Sequence, residues 1–218
     1  MTGAAGFLGG HVVRHFAAAG YRVMGRGHGH IAKSASAELG LSDWREDDVT
    51  LSTLAGLNAT PDVVVHCAGG ASISHSVGHP EDDYRRTVGT TREVLDYVRL
   101  HAPAARVVLP SSAAVYGEVA HLPIGEETPL APISPSGHHK KLAEELCRSY
   151  AQDYGLRIGI VRLFSVYGPD LRKQLRWDAC EKLRKADISR AREWAWRPKV
   201  ALDEGLAEFV RWYSRSNL

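Results

Sequence analysis

The fold class of this 218-residue chain follows from the stretch Thr2-Gly3-Ala4-Ala5-Gly6-Phe7-Leu8-Gly9. Its glycines recur at every third position and open a helical pattern over 10–20, as in a turn that leads from a strand into a helix. Glycines at such a turn let the backbone approach a pyrophosphate, and the free N–H groups of the helix favour negative charge there. The stretch therefore predicts an anion-binding βα turn, with a tight turn that holds no ligand as the alternative.

Three short apolar segments further along the chain predict buried strands. They are rich in β-branched residues, are bounded by turn formers, and cover 62–68, 105–110 and 157–163. Helical patterns lie at 10–20, 83–102 and 137–154. Strands that alternate with helices of this length form parallel sheets with helices on both faces, so we expect an α/β fold with a doubly wound parallel sheet.

Two places in the sequence look incomplete for this fold. Only Met1 precedes the glycine turn, whereas a doubly wound sheet has a central strand there. After Lys185, a basic helix-like run passes directly into Asp187. We expect segments of a parent chain to be missing at both places.

Composition and charge restrict the function classes. Hydrophobic residues make up 44% of the chain and charged residues 24%, as in ordinary globular proteins. A net charge of +2 without a recognition motif argues against a nucleic-acid partner, and no segment approaches the about 20 apolar residues of a membrane span. The three cysteines are far apart and the close histidine pairs lack further ligands, so we expect no disulfide framework, no metal and a place in the reducing cytoplasm.

The segment Gly25-Arg26-Gly27-His28-Gly29-His30 bears on the choice of dinucleotide. A carboxylate at the end of the second strand of such a fold binds a ribose 2′-hydroxyl, whereas an arginine favours a 2′-phosphate. This segment contains no acid. We therefore expect NADP, with Arg26 at its phosphate and His28 as a second candidate contact; NAD, with these residues in a solvated loop, is the alternative.

Four stretches together carry a resemblance to a known family. They are Thr2–Gly9, Val63–Gly69, Ser111-Ser112-Ala113-Ala114-Val115-Tyr116-Gly117 and Arg162-Leu163-Phe164-Ser165-Val166-Tyr167-Gly168-Pro169. In order and spacing they resemble the extended short-chain dehydrogenase/reductase family, in its NAD-dependent epimerase/dehydratase branch acting on nucleotide sugars. The resemblance implies a Rossmann domain over 1–165 and, over 166–218, a truncated remnant of the substrate-binding cap and C-terminal helix.

The resemblance also implies which residues hold the cofactor. The turn glycines and the first N–H groups of the helix cradle the pyrophosphate, two later residues contact the adenine, and two more line the ribose on the nicotinamide side. In that order they are Gly3, Gly6, Phe7, Leu8 and Gly9; Asp48 and Val49; and Ala68 and Gly69.

The catalytic residues of the family are matched only in part. Ser112 matches the hydroxyl that orients the sugar oxygen, Lys140 the lysine that binds the nicotinamide ribose, and Ser165 a position near the substrate diphosphate. The family pattern Tyr-x-x-x-Lys places its tyrosine where this chain has Ser136. A serine hydroxyl is shorter and far less acidic than a phenol, whose pKa is about 10, while proton transfer needs a reach of about 2.6–3.2 Å. We therefore expect impaired hydride chemistry.

Three explanations of Ser136 stay open. The residue is an engineered inactivating change, or a natural loss that leaves a catalytically silent NAD(P)-binding regulatory protein, or another group such as His138 or Tyr116 supplies the proton. The resembling dehydratases carry an Asp-Glu pair where this chain has Ala113 and Ala114. Alanine moves no proton, so we expect a 4-epimerase or a 4-keto-reductase that acts on a nucleotide sugar.

Related proteins form dimers through two helices that match 83–102 and 137–154. The resemblance therefore implies a homodimer. Its apolar seam would include Leu95, Val98, Leu142 and Leu146, although packing of the helices against the sheet explains these residues equally well.

Overall fold

Parallel strands form the framework of the molecule. The computed structural model describes residues 1–57, 59–70, 72–171, 187–193 and 197–216. Strand β1 (Val23–Gly27) pairs with β2 (Leu41–Glu46), and β3 (Val63–Val65), β4 (Arg106–Ser112) and β5 (Arg157–Leu163) follow one another in a second sheet. The predicted α/β class with a doubly wound parallel sheet is confirmed.

The first two residues lie between these sheets. Thr2 forms parallel bridges to Arg26 and to His66, and its backbone N–H donates to Val65 O at 3.0 Å. Met1 O accepts from the N–H of Arg26 at 2.9 Å. Residues 1–2 therefore lie between β1 and β3, at the position that the central strand occupies in a doubly wound sheet. The second expected gap, after Lys185, lies outside the described residues.

Helices precede or follow each strand. The first, α1 (Phe7–Ala18), begins three residues before the predicted helix, and the last helix of this α/β part, α7 (Pro135–Tyr154), covers the predicted 137–154. Between them lie α2 (Lys33–Leu39), α3 (Leu51–Ala55), α4 (Ile73–Gly78), α5 (Pro80–Tyr84) and α6 (Thr90–His101). The predicted helix 83–102 is thus divided, because a π-helical turn (Arg85–Gly89) joins α5 to α6.

The larger hydrophobic core packs α6 and α7 against the sheet of β3, β4 and β5. Leu95 and Val98 of α6 are completely buried in it, together with Cys147 of α7. For these two α6 residues, the packing against the sheet that the sequence also allowed is what the structure shows. Leu142 of α7, by contrast, is 41% exposed.

A buried ionic network joins α7 to β4 and β5. The Glu144 carboxylate accepts hydrogen bonds from Ser111 Oγ at 2.6 Å and from Arg162 Nη2 at 2.8 Å. Arg148 of α7 donates to the same carboxylate at 2.7 Å. Arg162 also donates to Tyr116 Oη at 2.9 Å, with its guanidinium 4.9 Å from the centre of that ring. The network fixes α7 relative to the C-terminal ends of both strands.

The chain divides into two units, one of residues 1–118 and 130–162 and the other of residues 119–129 and 163–218. The second unit contains α8 (Ser189–Glu193) and α9 (Leu202–Ser216). Within it, Arg190 pairs with Glu126 and Glu127, both at 3.1 Å. In the part of the chain that the structure describes, no helix has the length and hydrophobicity needed to cross a membrane.

Candidate functional site

The glycine turn between residues 2 and 9 is packed closely at its three glycines. Gly3 has a φ of +68°, and a Cβ there would lie 2.6 Å from Ala68 N. A Cβ at Gly9 would collide with Gly3 O, and one at Gly6 would lie 3.3 Å from the same oxygen. The three glycines thus hold the start of α1 against the end of β3, as the sequence predicts for an anion-binding turn.

The N-terminus of α1 is open to a ligand. Gly6 is its N-cap residue, and no side chain caps the helix. The first N–H groups of a helix, here those of Phe7 and Leu8, have no intrahelical acceptor, and the helix dipole favours an anion beside them. This turn, with glycine at its three closest contacts and uncapped N–H groups, fits the pyrophosphate of a dinucleotide.

Two acidic side chains that directly follow β2 contact the basic segment at the end of β1. Arg26 is only 2% exposed, and its Nη1 donates to Asp47 Oδ2 at 3.2 Å. His28 Nε2 lies 2.8 Å from Asp48 Oδ1, with both side chains exposed. Val49 packs in the core. Although the segment itself contains no acid, carboxylates lie beside it in space.

The second half of the site is where α7 meets the end of β4. Ser112 caps a short 3₁₀ helix (Ala113–Tyr116), and its Oγ accepts from Ala114 N at 3.1 Å. Since the hydroxyl accepts this bond, its proton remains available to a substrate oxygen. A Cβ at Gly137 would lie 2.7 Å from Ala114 O. Glycine at 137 thus lets the first turn of α7 approach Ser112.

Lys140 links α7 to both β4 and the turn after β3. Its Nζ donates to Pro110 O at 3.0 Å and lies 3.7 Å from where a Cβ on Gly69 would stand. Burial lowers the pKa of Lys140, and the neighbouring Asp83 carboxylate acts in the opposite direction. The ammonium group therefore lies beside Gly69, one of the two residues that the resemblance places at the nicotinamide ribose.

Ser136 lies one helical turn before Lys140, so the i and i+4 spacing places both on one face of α7. Its backbone N–H donates to the buried Ser76 Oγ at 3.2 Å. Its own hydroxyl makes no hydrogen bond to any other described residue. The Tyr116 hydroxyl, one of the alternative proton donors, is held by Arg162.

A sequence model of the NAD dependent epimerase/dehydratase family matches residues 1–202 of this chain. The chain belongs to this family. A UDP-glucose 4-epimerase of rice (Oryza sativa subsp. japonica) is 33% identical over 193 residues, which make up 83% of this chain and 52% of the relative. One from Azospirillum brasilense is 32% identical over 177 residues, 78% of this chain and 49% of that protein.

Solved structures agree with this assignment. The UDP-glucose 4-epimerase of Brucella ovis, solved with NAD, is 35% identical and superposes with a TM-score of 0.71 over 78% of this chain and 52% of its own. The Thermotoga maritima enzyme, at 20% identity, shares the fold with a TM-score of 0.85 over 100% of this chain and 98% of its own. This family member spans about half the length of the curated relatives it matches.

Two predictions remain, a site role for Ser165 and the absence of a metal. Ser165 follows β5 as an exposed residue of a bend in the second unit. Among the described residues, no three His, Cys, Asp or Glu side chains are grouped as metal ligands would be.

Sequence reasoning missed a buried pair beside the site. His139 Nδ1 lies 2.6 Å from Asp83 Oδ2, and Asp83 has no exposed surface. His139 directly precedes Lys140 and lies one turn after Ser136, which is the signal that marks it as a neighbour of the site. Nothing in the sequence pairs it with Asp83, because that contact joins α7 to α5.

Proposed function

We propose that this chain binds NAD and that its site is that of a UDP-sugar 4-epimerase weakened by Ser136. The observation that carries the proposal is the glycine cradle before α1, in the same unit as Ser112 and Lys140. The names of the relatives, UDP-glucose and UDP-arabinose 4-epimerases, support the substrate class. They favour a 4-epimerase over the 4-keto-reductase that the sequence also allowed.

The surroundings of Arg26 support NAD rather than the NADP expected from the sequence. The Arg26 guanidinium is buried and bonded to Asp47. A 2′-phosphate placed at Arg26 would meet the carboxylate of Asp47, and two like charges at such a distance repel. A ribose hydroxyl, in contrast, can donate a hydrogen bond to that carboxylate. The Brucella ovis relative was solved with NAD.

Each residue of the proposed site has its own role in epimerisation. Ser112 donates a hydrogen bond to the sugar O4, and Lys140 binds the nicotinamide ribose and places positive charge near the reacting centre. Bound NAD supplies the acceptor, and later the donor, of the hydride at sugar C4. Ala113 and Ala114 transfer no protons, so the site lacks the groups that a dehydratase needs.

Ser136 limits this chemistry. Its hydroxyl is too weak an acid to exchange the O4 proton at neutral pH, and it is several ångströms shorter than a tyrosine. The chain therefore binds cofactor and substrate with little or no turnover. This favours a second candidate function, a catalytically silent NAD-binding protein that regulates another process.

The outer face of α7 and the neighbouring π-helical turn support a homodimer. A groove there is lined by residues that include Tyr84, Val88, Leu142 and Leu146. Tyr84 and Leu142 are large exposed hydrophobic residues, and a second copy of the chain is the occupant that we propose.

Residues 166–218 stay proposed as the remnant of the substrate-binding cap. The free thiols of Cys67 and Cys147 support a reducing compartment such as the cytoplasm.

The test restores the tyrosine. Purified wild type and Ser136→Tyr are incubated with NAD and UDP-galactose, and UDP-glucose is measured by chromatography. We expect at least a hundredfold gain in turnover for Ser136→Tyr, since general acid–base groups contribute about 10²–10⁴-fold. Ser136→Tyr/Ser112→Ala, the matched control, should lose this gain.

Two outcomes would count against the epimerase proposal. If Ser136→Tyr binds NAD but converts no UDP-sugar, the chain is a silent binding protein. If the product carries solvent deuterium at C5, the reaction involves proton abstraction at that carbon, and 4-epimerisation is wrong.

A further inference from the structure

The Asp83–His139 pair joins α5 to α7 next to the proposed cofactor site. Asp83 is 0% exposed and the His139 side chain 13% exposed, with 2.6 Å between Oδ2 and Nδ1. The ring of Tyr84 packs edge-on against the imidazole, with the centroids 5.5 Å apart. The histidine is thereby held in one orientation, with Nδ1 directed at the carboxylate.

The second oxygen of Asp83 has no hydrogen-bond partner among the described residues. This buried Oδ1 lies against Gly70, where a Cβ would collide with it. The N–H of Gly70 donates instead to Thr87 Oγ1 at 3.0 Å. Burying a carboxylate oxygen without a hydrogen-bond donor costs free energy. Because no donor offsets its negative charge, that charge acts on the groups beyond Gly70.

Beyond Gly70 lies the wall proposed to face the nicotinamide ribose. Gly69 directly precedes Gly70, and a Cβ on it would lie 3.7 Å from Lys140 Nζ and 3.8 Å from Thr87 Oγ1. Asp83, the two glycines and Lys140 are therefore contiguous. Because residues 69 and 70 have no side chains, only backbone separates the carboxylate from this wall.

We propose that the Asp83–His139 pair sets the preference of the site between oxidised and reduced nicotinamide, through the net charge that it holds behind Gly69 and Gly70. This inference rests on the proposed function, because it takes the dinucleotide to lie against that wall. In this proposal Asp83 and His139 do not touch the nicotinamide. Asp83 acts on it electrostatically across the backbone of Gly69 and Gly70, so the pair is not catalytic.

The sign of the effect follows from charge. The ring of NAD⁺ is cationic and that of NADH is neutral, so a negative charge behind the wall favours NAD⁺. The Asp83 carboxylate supplies this negative charge, and His139 holds the carboxylate in place behind the two glycines. Removing the charge of Asp83 therefore weakens NAD⁺ binding relative to NADH.

Other charged groups near the pair limit the size of the effect without changing its sign. Tyr84 is on α5 beside His139, and Asp82 on the same helix is paired outward with Arg85, Arg86 and His75. On the site side are the ammonium of Lys140 and the thiol of Cys67, whose pKa is raised by burial to about 11 and which is therefore neutral. Lys140 is the cation that senses Asp83.

The experiment measures the dissociation constants of NAD⁺ and NADH by calorimetry for wild type, Asp83→Asn and His139→Gln. We expect Asp83→Asn to lower the ratio of the NADH constant to the NAD⁺ constant severalfold, because the amide carries no charge. His139→Gln keeps the carboxylate and should leave the ratio at or above the wild-type value. Asp82→Asn, the neighbouring and partly exposed acid, is the matched control and should behave like wild type.

The ratio separates this proposal from a merely structural role. If the pair only supports α7, the variants weaken binding of both dinucleotides in parallel and the ratio stays constant, which overturns the inference but leaves the proposed function intact. If wild type binds neither dinucleotide, the proposed function fails and the inference fails with it.

Discussion

Replacing Glu144 by glutamine should destabilise the protein strongly, because it leaves a buried guanidinium without its counter-charge. The carboxylate is fully buried and accepts hydrogen bonds from Ser111, Arg148 and Arg162. Arg148 is 46% exposed and therefore contributes little. Arg162 is only 16% exposed, so the change removes one partner of a buried pair, which costs about 3–5 kcal/mol.

The assay is thermal and urea unfolding of Glu144→Gln beside Glu145→Gln. Glu145 is the next residue of α7 and is exposed, so the same chemical change there should stay within about 0.5 kcal/mol. For a chain of this size, the loss at Glu144 corresponds to a fall in Tm of about 6–20 °C. If the two variants unfold within 1 °C of each other, the network does not stabilise the fold.

Acidification tests the same network without mutation. Burial raises the pKa of Glu144, but the hydrogen bonds from Arg162 and Ser111 outweigh it and hold the pKa below its ordinary value of 4.5. A carboxyl whose pKa is lower in the folded state stabilises the protein above its unfolded-state pKa. This contribution should be lost as the pH falls below 4.5, and the loss should be absent from Glu144→Gln.

Three further perturbations test the site. Gly9→Ala should abolish NAD binding and lower Tm because its Cβ would collide with the turn, whereas Gly10→Ala, whose Cβ would meet only contacts at 3.8 Å, should keep binding and gain up to about 1 kcal/mol of stability in thermal scans. Lys140→Met should weaken NAD binding by about 10-fold or more in calorimetry, the loss of a charge-assisted hydrogen bond, while Lys141→Met should bind as wild type does. Since burial raises the pKa of the Cys67 thiol to about 11, iodoacetamide at pH 8 should label it far more slowly in folded than in unfolded protein, as read by peptide mass spectrometry.

Much of the fold could be predicted because its signals are local. The predicted strand 157–163 matches β5, and the predicted helix 137–154 lies within α7. Ser134 caps that helix through Gly137 N, and Gly155 ends it in the left-handed conformation, both of which are sequence-readable signals. The glycine turn was equally readable as a tight turn into a helix, whereas its spacing left open whether the turn holds a ligand.

The features that sequence reasoning missed depend on contacts between distant segments. The helical pattern over 83–102 is continuous in sequence, and nothing in it marks the π-helical turn at Arg85–Gly89. The Arg26–Asp47 pair forms because β1 and β2 end side by side in one sheet. That contact changes the expected cofactor from NADP to the proposed NAD, although the basic segment alone favours a phosphate.

The catalytic residues show the same difference between local signals, which the sequence reveals, and contacts between distant segments, which it does not. The i and i+4 spacing of Ser136 and Lys140 was visible in the sequence, and so was the loss of the tyrosine. Asp83 beside His139 was not visible, since 56 residues separate them. Only the packing of α5 against α7 makes a buried pair of an acid and an imidazole that otherwise resemble surface residues.

The central claim is that this chain holds NAD in the cradle before α1, and thermal unfolding with NAD and with NADP tests it most directly. A ligand at 100 times its Kd adds about 2.7 kcal/mol of stability, which raises Tm by about 5–10 °C for a domain of this size. The account predicts a cooperative transition that NAD shifts upward by this amount and NADP shifts less. A transition that neither dinucleotide moves would contradict it.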